Sequence, residues 1–422
     1  MTASISNARQ RRHSSRPLRR GLLAVGAALG AWTIALSGTA PAAAADDVQS
    51  KQWYLDLLYA KKVWEKSTGK GIKVAVIDSG VNPNTPSLKG QVLKGVDATV
   101  EKGGNTNDTN GQGTTTAELI AGTGKGGGLQ GLAPGAKIIP FRVPLLKHDQ
   151  LPPGTWIERD PLYHAIRAAA DSDAQIIALN VRNEHAIGVN LHADSAVDYA
   201  SSKGKLVIAG TGDNAKEGNK RQYPASQRLV AGVASVDRKG KVAKTSQHGD
   251  YVDLAAPGVD IPRWCDASFK RYCDGGGTSA ATAIASASAA LVWSAHPEWN
   301  ANQVLRVLFQ TAGRTWKDGD RSKYLGHGVV RPVVNVANGK GNPGTADINP
   351  LTDVDPAESK SPSPTDSASS QQAKGQEKGG AASAEGDEKT NNSQLGLIAG
   401  IAAAVAALAA GAVALARKRR NA

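Results

Sequence analysis

The sequence predicts an α/β protein whose central sheet is mostly parallel and carries helices on both faces. Short apolar, β-branched runs alternate along the chain with segments of helical length. These strand-like runs are apolar at nearly every position, as in strands that helices cover on both sides. A third observation is the stretch from Ala280 to His296, which consists mostly of alanine and serine and has no charge before His296. A helix of that composition is suited to the interior of a core.

The elements follow one another in a regular order. Apolar residues at helical spacing predict a helix within 52–67, and the run KVAVI at 73–77 predicts the first buried strand. A glycine-flanked helix at 111–122 and a strand at 136–143 come next. The remaining elements alternate in type, and they are helix 160–173, strand 175–181, helix 192–203, strands 205–209, 229–236 and 251–254, helices 280–296 and 297–312, and an extended segment at 328–336.

The positive charge of the chain is concentrated at its two ends. The 422 residues are enough for one large domain with extensions or for two domains. Of the formal charge of +13, ten charges come from six arginines before Asp46 and from the four basic residues at 417–420. Charge placed in this way is typical of targeting segments, so nucleic acid is not expected as a partner.

Both ends predict segments that direct the chain to a membrane. An arginine-rich start, an apolar stretch at 21–36 and small residues at 40–45 predict a signal peptide at 1–45, with an uncleaved anchor as the alternative. Residues 395–416 carry no charge and are long enough to span a bilayer, and the basic tail at 417–422 follows. The sequence therefore predicts a single-pass protein of the cell membrane with its domain outside.

A domain at 52–338 is separated from the predicted span by a segment of different composition. Residues 339–394 are rich in Pro, Ser, Gly, Lys, Glu and Asp, so we expect a flexible stalk there. The only two cysteines are Cys265 and Cys273, eight positions apart. In an oxidising compartment they are predicted to form one disulfide, with two free thiols as the alternative. Neither a metal site nor a cofactor is expected.

Four motifs in the domain resemble those of a known family. They are VAVIDSGVN at 74–82, GLAPGAKIIPFRV at 131–143, VDLAAPGVDI at 252–261 and GTSAA at 277–281. Together they resemble the subtilases, and more closely the mycosins, which are membrane-anchored subtilisin-like proteases of type VII secretion systems. The resemblance spans about 53–336. It implies a three-layer subtilisin-like fold and, as protein partner, a membrane secretion complex.

The resemblance also assigns catalytic positions, and one of them is altered. Asp78 occupies the position of the orienting acid, and Ser279 occupies that of the nucleophile. The family's Asp-x-x-Gly-His-Gly-Thr motif reads DTNGQGT at 108–114, which puts Gln112 in place of the histidine. A primary amide cannot take up a proton near neutral pH, so the hydroxyl of Ser279 is expected to remain a weak nucleophile.

Further departures from the family pattern lie close to these positions. The oxyanion segment Ala-Gly-Asn reads Thr-Gly-Asp here, so Asp213 replaces an amide donor, and Asn214 could substitute only after a shift of one residue. Ala283 replaces the proline that follows the nucleophile motif. The substrate strand, Ser-Leu-Gly-Gly in the family, is expected to obstruct an extended substrate because its residues are Asn180, Val181, Arg182 and Asn183.

Two other histidines could in principle replace the missing base. His164 and His248 lack the Gly-x-Gly-Thr context, so we do not expect either to act. The sequence therefore predicts a pseudoprotease that serves as a binding or scaffolding module. The alternatives are an active serine endopeptidase with an altered base and an extracellular domain with no link to secretion.

Overall fold

The computed structural model describes residues 48–98, 104–144, 160–181, 190–317 and 320–352. The predicted signal peptide, most of the predicted stalk and the predicted span at 395–416 lie outside these ranges. Within them, no helix combines the length and the apolar character needed to cross a bilayer.

A seven-stranded sheet, parallel throughout, forms the middle layer. The strand order is β2-β3-β1-β4-β5-β6-β7. The strand β1 lies near the centre, and its residues from Val74 onward are buried, which explains the uniformly apolar run that predicted it. The strands are β1 (Lys73–Asp78), β2 (Val96–Asp97), β3 (Lys137–Arg142), β4 (Ile176–Leu179), β5 (Leu206–Gly210), β6 (Ala231–Val236) and β7 (Leu254–Pro257).

Helices cover both faces of the sheet, so the predicted α/β class with helices on both sides is confirmed. One face carries α4 (Pro161–Asp171) and α5 (Asn190–Ser202), which pack against each other. The other face carries α6 (Thr278–Ala295), which packs on five strands of the sheet and on three other helices of that side. The remaining helices are α1 (Trp53–Leu57), α2 (Ala60–Trp64), α3 (Gln112–Ala121), α7 (Ala301–Thr311) and α8 (Pro332–Val336).

The helix α6 explains the alanine and serine run. Every residue from Ala280 to Val292 is buried. Small side chains let α6 approach α3 and the strands β4 to β7 closely. Two of its serine and threonine hydroxyls, those of Thr282 and Ser288, donate 2.8 Å hydrogen bonds to the carbonyls of Thr278 and Ile284 and so need no outside partner.

Several predicted elements differ from the structure. The segment 328–336 was predicted to be extended, but it contains the helix α8, which begins at Pro332. The strand predicted at 251–254 is β7 and runs from Leu254 to Pro257. The first helix is divided in two, because Tyr59 adopts a left-handed conformation between α1 and α2. An antiparallel hairpin of β8 (Val259–Trp264) and β9 (Tyr272–Gly276) was not predicted.

The predicted start of the stalk also needs correction. Residues 340–351 lie against α7, although the stalk was predicted to begin at 339. Arg306 donates to the carbonyls of Thr345 and Ile348 at 2.9 and 2.6 Å, and it also bonds that of Pro343. A segment with few apolar residues can therefore be bound to the domain through its backbone carbonyls. Every residue has such a carbonyl, so amino-acid composition does not predict this contact.

Candidate active site

The predicted catalytic positions meet at the carboxyl edge of the parallel sheet. Asp78 ends β1, Asn180 follows β4, and Asp213 lies three residues after β5. Gln112 is the first residue of α3, and Ser279 is the second residue of α6. Ligand sites of parallel sheets commonly form at this edge, because the strand ends and the following loops come together there.

Asp78 is fully buried, and hydrogen bonds satisfy both of its carboxylate oxygens. Its Oδ1 accepts from the backbone N–H of Ser79 at 2.8 Å. Its Oδ2 accepts from Oγ1 of Thr116 at 3.0 Å and from Nδ2 of Asn180 at 3.2 Å. Burial is the main cause that raises the pKa of Asp78 to about 7, and the charge of Asp108 adds to this rise.

Gln112 does not hydrogen-bond the acid that would orient a histidine. Its Nε2 donates to the backbone carbonyl of Asn180 at 3.2 Å, and its backbone N–H donates to Oδ1 of Asn110 at 2.8 Å. Among the described residues, neither Asp78 nor Ser279 is a hydrogen-bond partner of Gln112. The donors to Oδ2 of Asp78 are instead Asn180 and Thr116, which lies one turn further along α3.

Ser279 lies half-buried in a cavity of about 440 Å³. Within the described part of the chain its hydroxyl has no hydrogen-bond partner. Gln112 and Asp213 line the same cavity, so the nucleophile position, the altered base position and the altered oxyanion position share one space. The other lining residues are Asn110, Thr115, Thr116, Leu119, Ile261, Pro262, Arg263, Cys265, Gly276 and Ala280.

Asp213 accepts hydrogen bonds from the beginning of α6. Its Oδ1 accepts from the backbone N–H of Thr278 at 2.9 Å, and its Oδ2 accepts from Oγ1 of Thr278 at 3.1 Å. A carboxylate is favourable at this place because the first N–H groups of a helix lack partners within the helix. Gly277 has φ of +107°, and a Cβ there would lie 2.8 Å from Oδ2 of Asp213. The absence of a side chain at Gly277 therefore leaves room for the carboxylate of Asp213.

The sequence also indicated Val181, Asn214 and Ala283, and none of them lines the cavity of Ser279. Asn214 accepts at Oδ1 from Nε2 of Gln247 at 2.5 Å, and Val181 is half-buried. Ala283 is fully buried in α6. Arg182 and Asn183 lie outside the described residues, so the expected obstruction of an extended substrate remains a prediction.

Neither of the two other histidines lines the cavity of Ser279. His164 is exposed on α4, where its ring makes an edge contact with Tyr163. The ring of His248 stacks on Tyr324 at 4.5 Å. The expectation that neither replaces the base agrees with these positions.

The hairpin β8–β9 forms one wall of the cavity and is fixed to α3. Cys265 and Cys273 are joined by a disulfide, with Cα atoms 5.1 Å apart. Trp264 stacks on Tyr272 at 3.9 Å, and the backbone N–H of Trp264 donates to Oγ1 of Thr115 at 3.0 Å. The cross-link and these contacts hold the wall in place.

A buried carboxylate that sequence reasoning missed also connects the hairpin with α3. Glu118 accepts hydrogen bonds from the hydroxyls of Thr85 at 2.7 Å and Tyr272 at 2.8 Å. Burial raises its pKa to about 7, although both hydrogen bonds act in the opposite direction. Glu118 is the only charged residue in the helix QGTTTAELIA. This isolation was the one feature of the sequence that could have identified it.

The family model of the subtilases, peptidase family S8, matches residues 69–330. The chain therefore belongs to the subtilase family of serine peptidases. Its sheet and helices form the three-layer subtilisin-like fold that the motifs predicted.

Individual relatives agree with this assignment. A thermophilic serine proteinase of Bacillus sp. strain AK1 is 34% identical over 272 residues, which cover 63% of this chain and 63% of that protein. Thermitase of Thermoactinomyces vulgaris is 34% identical over 237 residues, or 55% of this chain and 78% of thermitase. The alignment thus spans less than two thirds of the first of these relatives.

Solved structures place the fold close to the mycosins. The MycP3 protease of the type VII (ESX-3) secretion system superposes with a TM-score of 0.58 at 27% identity, over 70% of this chain and 90% of MycP3. MycP1 of Mycobacterium smegmatis gives a TM-score of 0.59 at 22% identity, over 72% of this chain and 89% of MycP1. The resemblance to mycosins is therefore structural as well as a matter of motifs.

Proposed function

We propose that this chain is a pseudoprotease, a mycosin-like subtilase that binds protein partners and does not cleave peptides. The observation that carries the proposal is the position of Gln112, which lines the cavity of Ser279 at the first position of α3. An amide there cannot accept the proton of the serine hydroxyl. In subtilisin, a member of this family, loss of the base or of the nucleophile costs about 10⁶ in kcat.

The surroundings of Asp78 support the same proposal. In a triad the buried acid accepts a hydrogen bond from the histidine and stabilises the charge that this ring acquires. Here Thr116 and Asn180 donate to Oδ2 of Asp78 instead. An acid left without its histidine would be a costly buried group, and these two donors compensate for the loss.

The oxyanion position supports it as well. The carboxylate of Asp213 lies in the cavity of Ser279 and accepts from Thr278 at the start of α6. A tetrahedral intermediate would develop its negative charge near this helix end, where catalysis requires donors. A carboxylate repels that charge, and it already uses a helix N–H group.

The proposed role is that of a tethered binding or scaffolding domain. Similarity to MycP3, a protease of a type VII secretion system, suggests a membrane secretion complex as partner. The signal peptide at 1–45 and the span at 395–416 would keep the domain on the outer side of the cell membrane. Co-purification of the full chain with that complex tests this part of the proposal.

A second candidate is an active endopeptidase that uses a different base. One observation favours it. The hydroxyl of Ser279 lies in an open cavity at the N-terminal end of α6, where a nucleophile would be expected. No residue that lines this cavity in the described part of the chain is a histidine or a lysine.

Labelling with a fluorophosphonate probe distinguishes the two candidates. The wild type should label no faster than Ser279→Ala. Gln112→His alone should help little, because the opposing charge of Asp213 remains. Loss of one oxyanion donor costs about 3 to 4 kcal/mol in subtilisin. The double variant Gln112→His with Asp213→Asn should give the first detectable labelling.

A third substitution tests the role assigned to Thr116. Adding Thr116→Val to the double variant removes a donor from Asp78 without changing the side-chain shape, so the new histidine can compete for Oδ2. Labelling should increase again. If the wild type labels at Ser279 as readily as thermitase does, the pseudoprotease proposal is wrong and another group acts as base.

A further inference from the structure

A second cavity, of about 750 Å³, lies at the C-terminal end of α7. Cationic side chains and one histidine contribute to its lining, and among the described residues that line it there is no carboxylate. The cationic residues are Arg306, Arg314, Arg331 and Lys340, and the histidine is His327. We call this space the α7 pocket.

The last turn of α7 positions two of the arginines. Nη1 of Arg314 donates to the carbonyls of Phe309 and His327 at 2.8 and 3.0 Å. Nε of Arg331 donates to the carbonyl of Thr311 at 3.3 Å. Cations commonly cap a helix C-terminus, because its last carbonyls lack partners and carry partial negative charge. These bonds account for Arg314 and for Nε of Arg331, and Arg306 is held by the carbonyls of Pro343, Thr345 and Ile348. The Nη groups of Arg331 and the ammonium group of Lys340 have no such role in the described part of the chain.

Three of the cations have no acidic partner. Within the described residues, Arg306, Arg331 and Lys340 form no ion pair. Arg221 and Arg321, by contrast, pair with Asp250 and Asp253 elsewhere on the domain. Arg331 uses only Nε in the hydrogen bond to Thr311, which leaves the two Nη groups of an exposed side chain for a ligand.

One side of the α7 pocket is apolar and uncharged. The ring of His327 stacks on Phe309 with centroids 4.1 Å apart, and Val334, Ile348 and Pro350 complete this side. Burial, helped by the charges of Arg321 and Arg314, lowers the pKa of His327 to about 4. The imidazole is therefore neutral at pH 7, and a bound anion would raise its pKa.

We propose that the α7 pocket binds a phosphate group. Guanidinium groups offer paired donors that match the oxygens of a phosphate, and a lysine adds a point charge. The same chemistry is found in free phosphates and in the headgroups of anionic lipids. This site is separate from the cavity of Ser279, and its failure would leave the proposed function unaffected.

The test uses the full chain in a nonionic detergent and three probes in calorimetry: inorganic phosphate, glycerol phosphate and dihexanoylphosphatidylglycerol. The test variant combines Arg331→Gln and Lys340→Gln, two exposed side chains without ion pairs. The control variant combines Lys61→Gln and Lys62→Gln, which removes the same charge from the exposed surface of α2. We expect the test variant to bind at least about tenfold more weakly and the control to bind as the wild type does.

A second readout is the imidazole of His327, followed by nuclear magnetic resonance and assigned with His327→Gln. Saturating phosphate should raise its pKa in the wild type and not in the test variant. Equal binding of the three probes would indicate a site for the phosphate group itself, and binding of the lipid alone would indicate a headgroup site. Equal affinity in test and control variants would overturn the proposal.

Two further outcomes would also overturn it. The residues that follow the described chain include Asp353, Asp355 and Glu358. If phosphate binds only after these three are changed to Asn, Asn and Gln, the chain's own acids compete for the pocket. If a hexaglutamate peptide binds and phosphate does not, the ligand is an acidic peptide.

Discussion

The side chain of Glu118 shows how a single residue can make stability depend on pH. Its pKa is near 7 in the folded protein and near 4.5 in the unfolded chain. Below pH 4.5 both states hold the proton. Between pH 4.5 and 7 only the folded state holds it, so the free energy of unfolding falls as pH rises, by about 1.4 kcal/mol per pH unit at most.

Glu118→Gln should therefore be nearly neutral at pH 4 and stabilising at pH 8. Glutamine keeps the shape and can still pair with Thr85 and Tyr272, but it has no charge to bury. Urea unfolding at several pH values measures the difference. Glu65→Gln, an exposed acid on the same domain, should leave the pH profile unchanged. Parallel profiles for Glu118→Gln and wild type would contradict the assignment.

At the same scale, Asp78, Gln112, Asp213 and Ser279 were located by motif, and the structure brings them to one edge of the sheet. Thr116 was not identified, because in sequence it is one of three consecutive threonines. Only the packing of α3 against β1 turns its hydroxyl toward Asp78. Pairings of this kind depend on tertiary contacts and leave no local pattern.

Among the elements, α6 depends on a residue far away in sequence. Its N-cap position is Gly277, which has no side chain, and Asp213 supplies the missing acceptor. Asp213→Ala should destabilise the domain by about 1 kcal/mol, in the usual range for a lost cap, and Asp213→Asn by less. Thermal unfolding at neutral pH measures both. Asp347→Ala, at an exposed position whose side chain makes no hydrogen bond among the described residues, is the control.

An equal effect of Asp213→Ala and Asp347→Ala would mean that the carboxylate does not cap α6. A larger loss with Asn than with Ala would contradict the assignment too, since an amide oxygen can still accept from Thr278.

The hairpin β8–β9 makes a separate prediction at this scale. Mass spectrometry of the unreduced protein should find the peptides of Cys265 and Cys273 joined, two hydrogens lighter than the dithiol. Replacing both by serine should lower stability by somewhat less than about 3 kcal/mol, the chain-entropy value for a longer loop. Free thiols in protein from an oxidising compartment would contradict the pairing.

Elements differ in how well sequence predicts them. The strand β1 was predicted because burial on both faces requires apolar residues from Val74 to Ile77. The hairpin was missed because glycine and charged residues interrupt its alternation, and a disulfide and aromatic stacking hold it. The helix α8 was predicted as extended because Val333 and Val334 are β-branched, yet packing against α6 and α7 overrides that preference.

For the whole molecule, the distribution of charge and apolar residues along the chain predicts how the domain is attached to the membrane. The last described residue of the domain is Thr352, and 42 residues separate Thr352 from the predicted span at 395–416. A segment of that length and polar composition can act as a flexible tether. The proposed function as a scaffold on the outer surface of the membrane depends on this arrangement.

The full chain expressed in a secreting bacterium should therefore stay with the membrane fraction after extraction with alkaline carbonate. A chain that ends at Gln394 should be released as soluble protein, because it lacks the uncharged segment. A chain that ends at Ala416 keeps that segment and should remain in the membrane, although without the basic tail its orientation is less fixed. Fractionation followed by protease treatment of intact cells measures both properties. Sedimentation of the chain ending at Gln394 with membranes would show that another part of the protein provides the anchor.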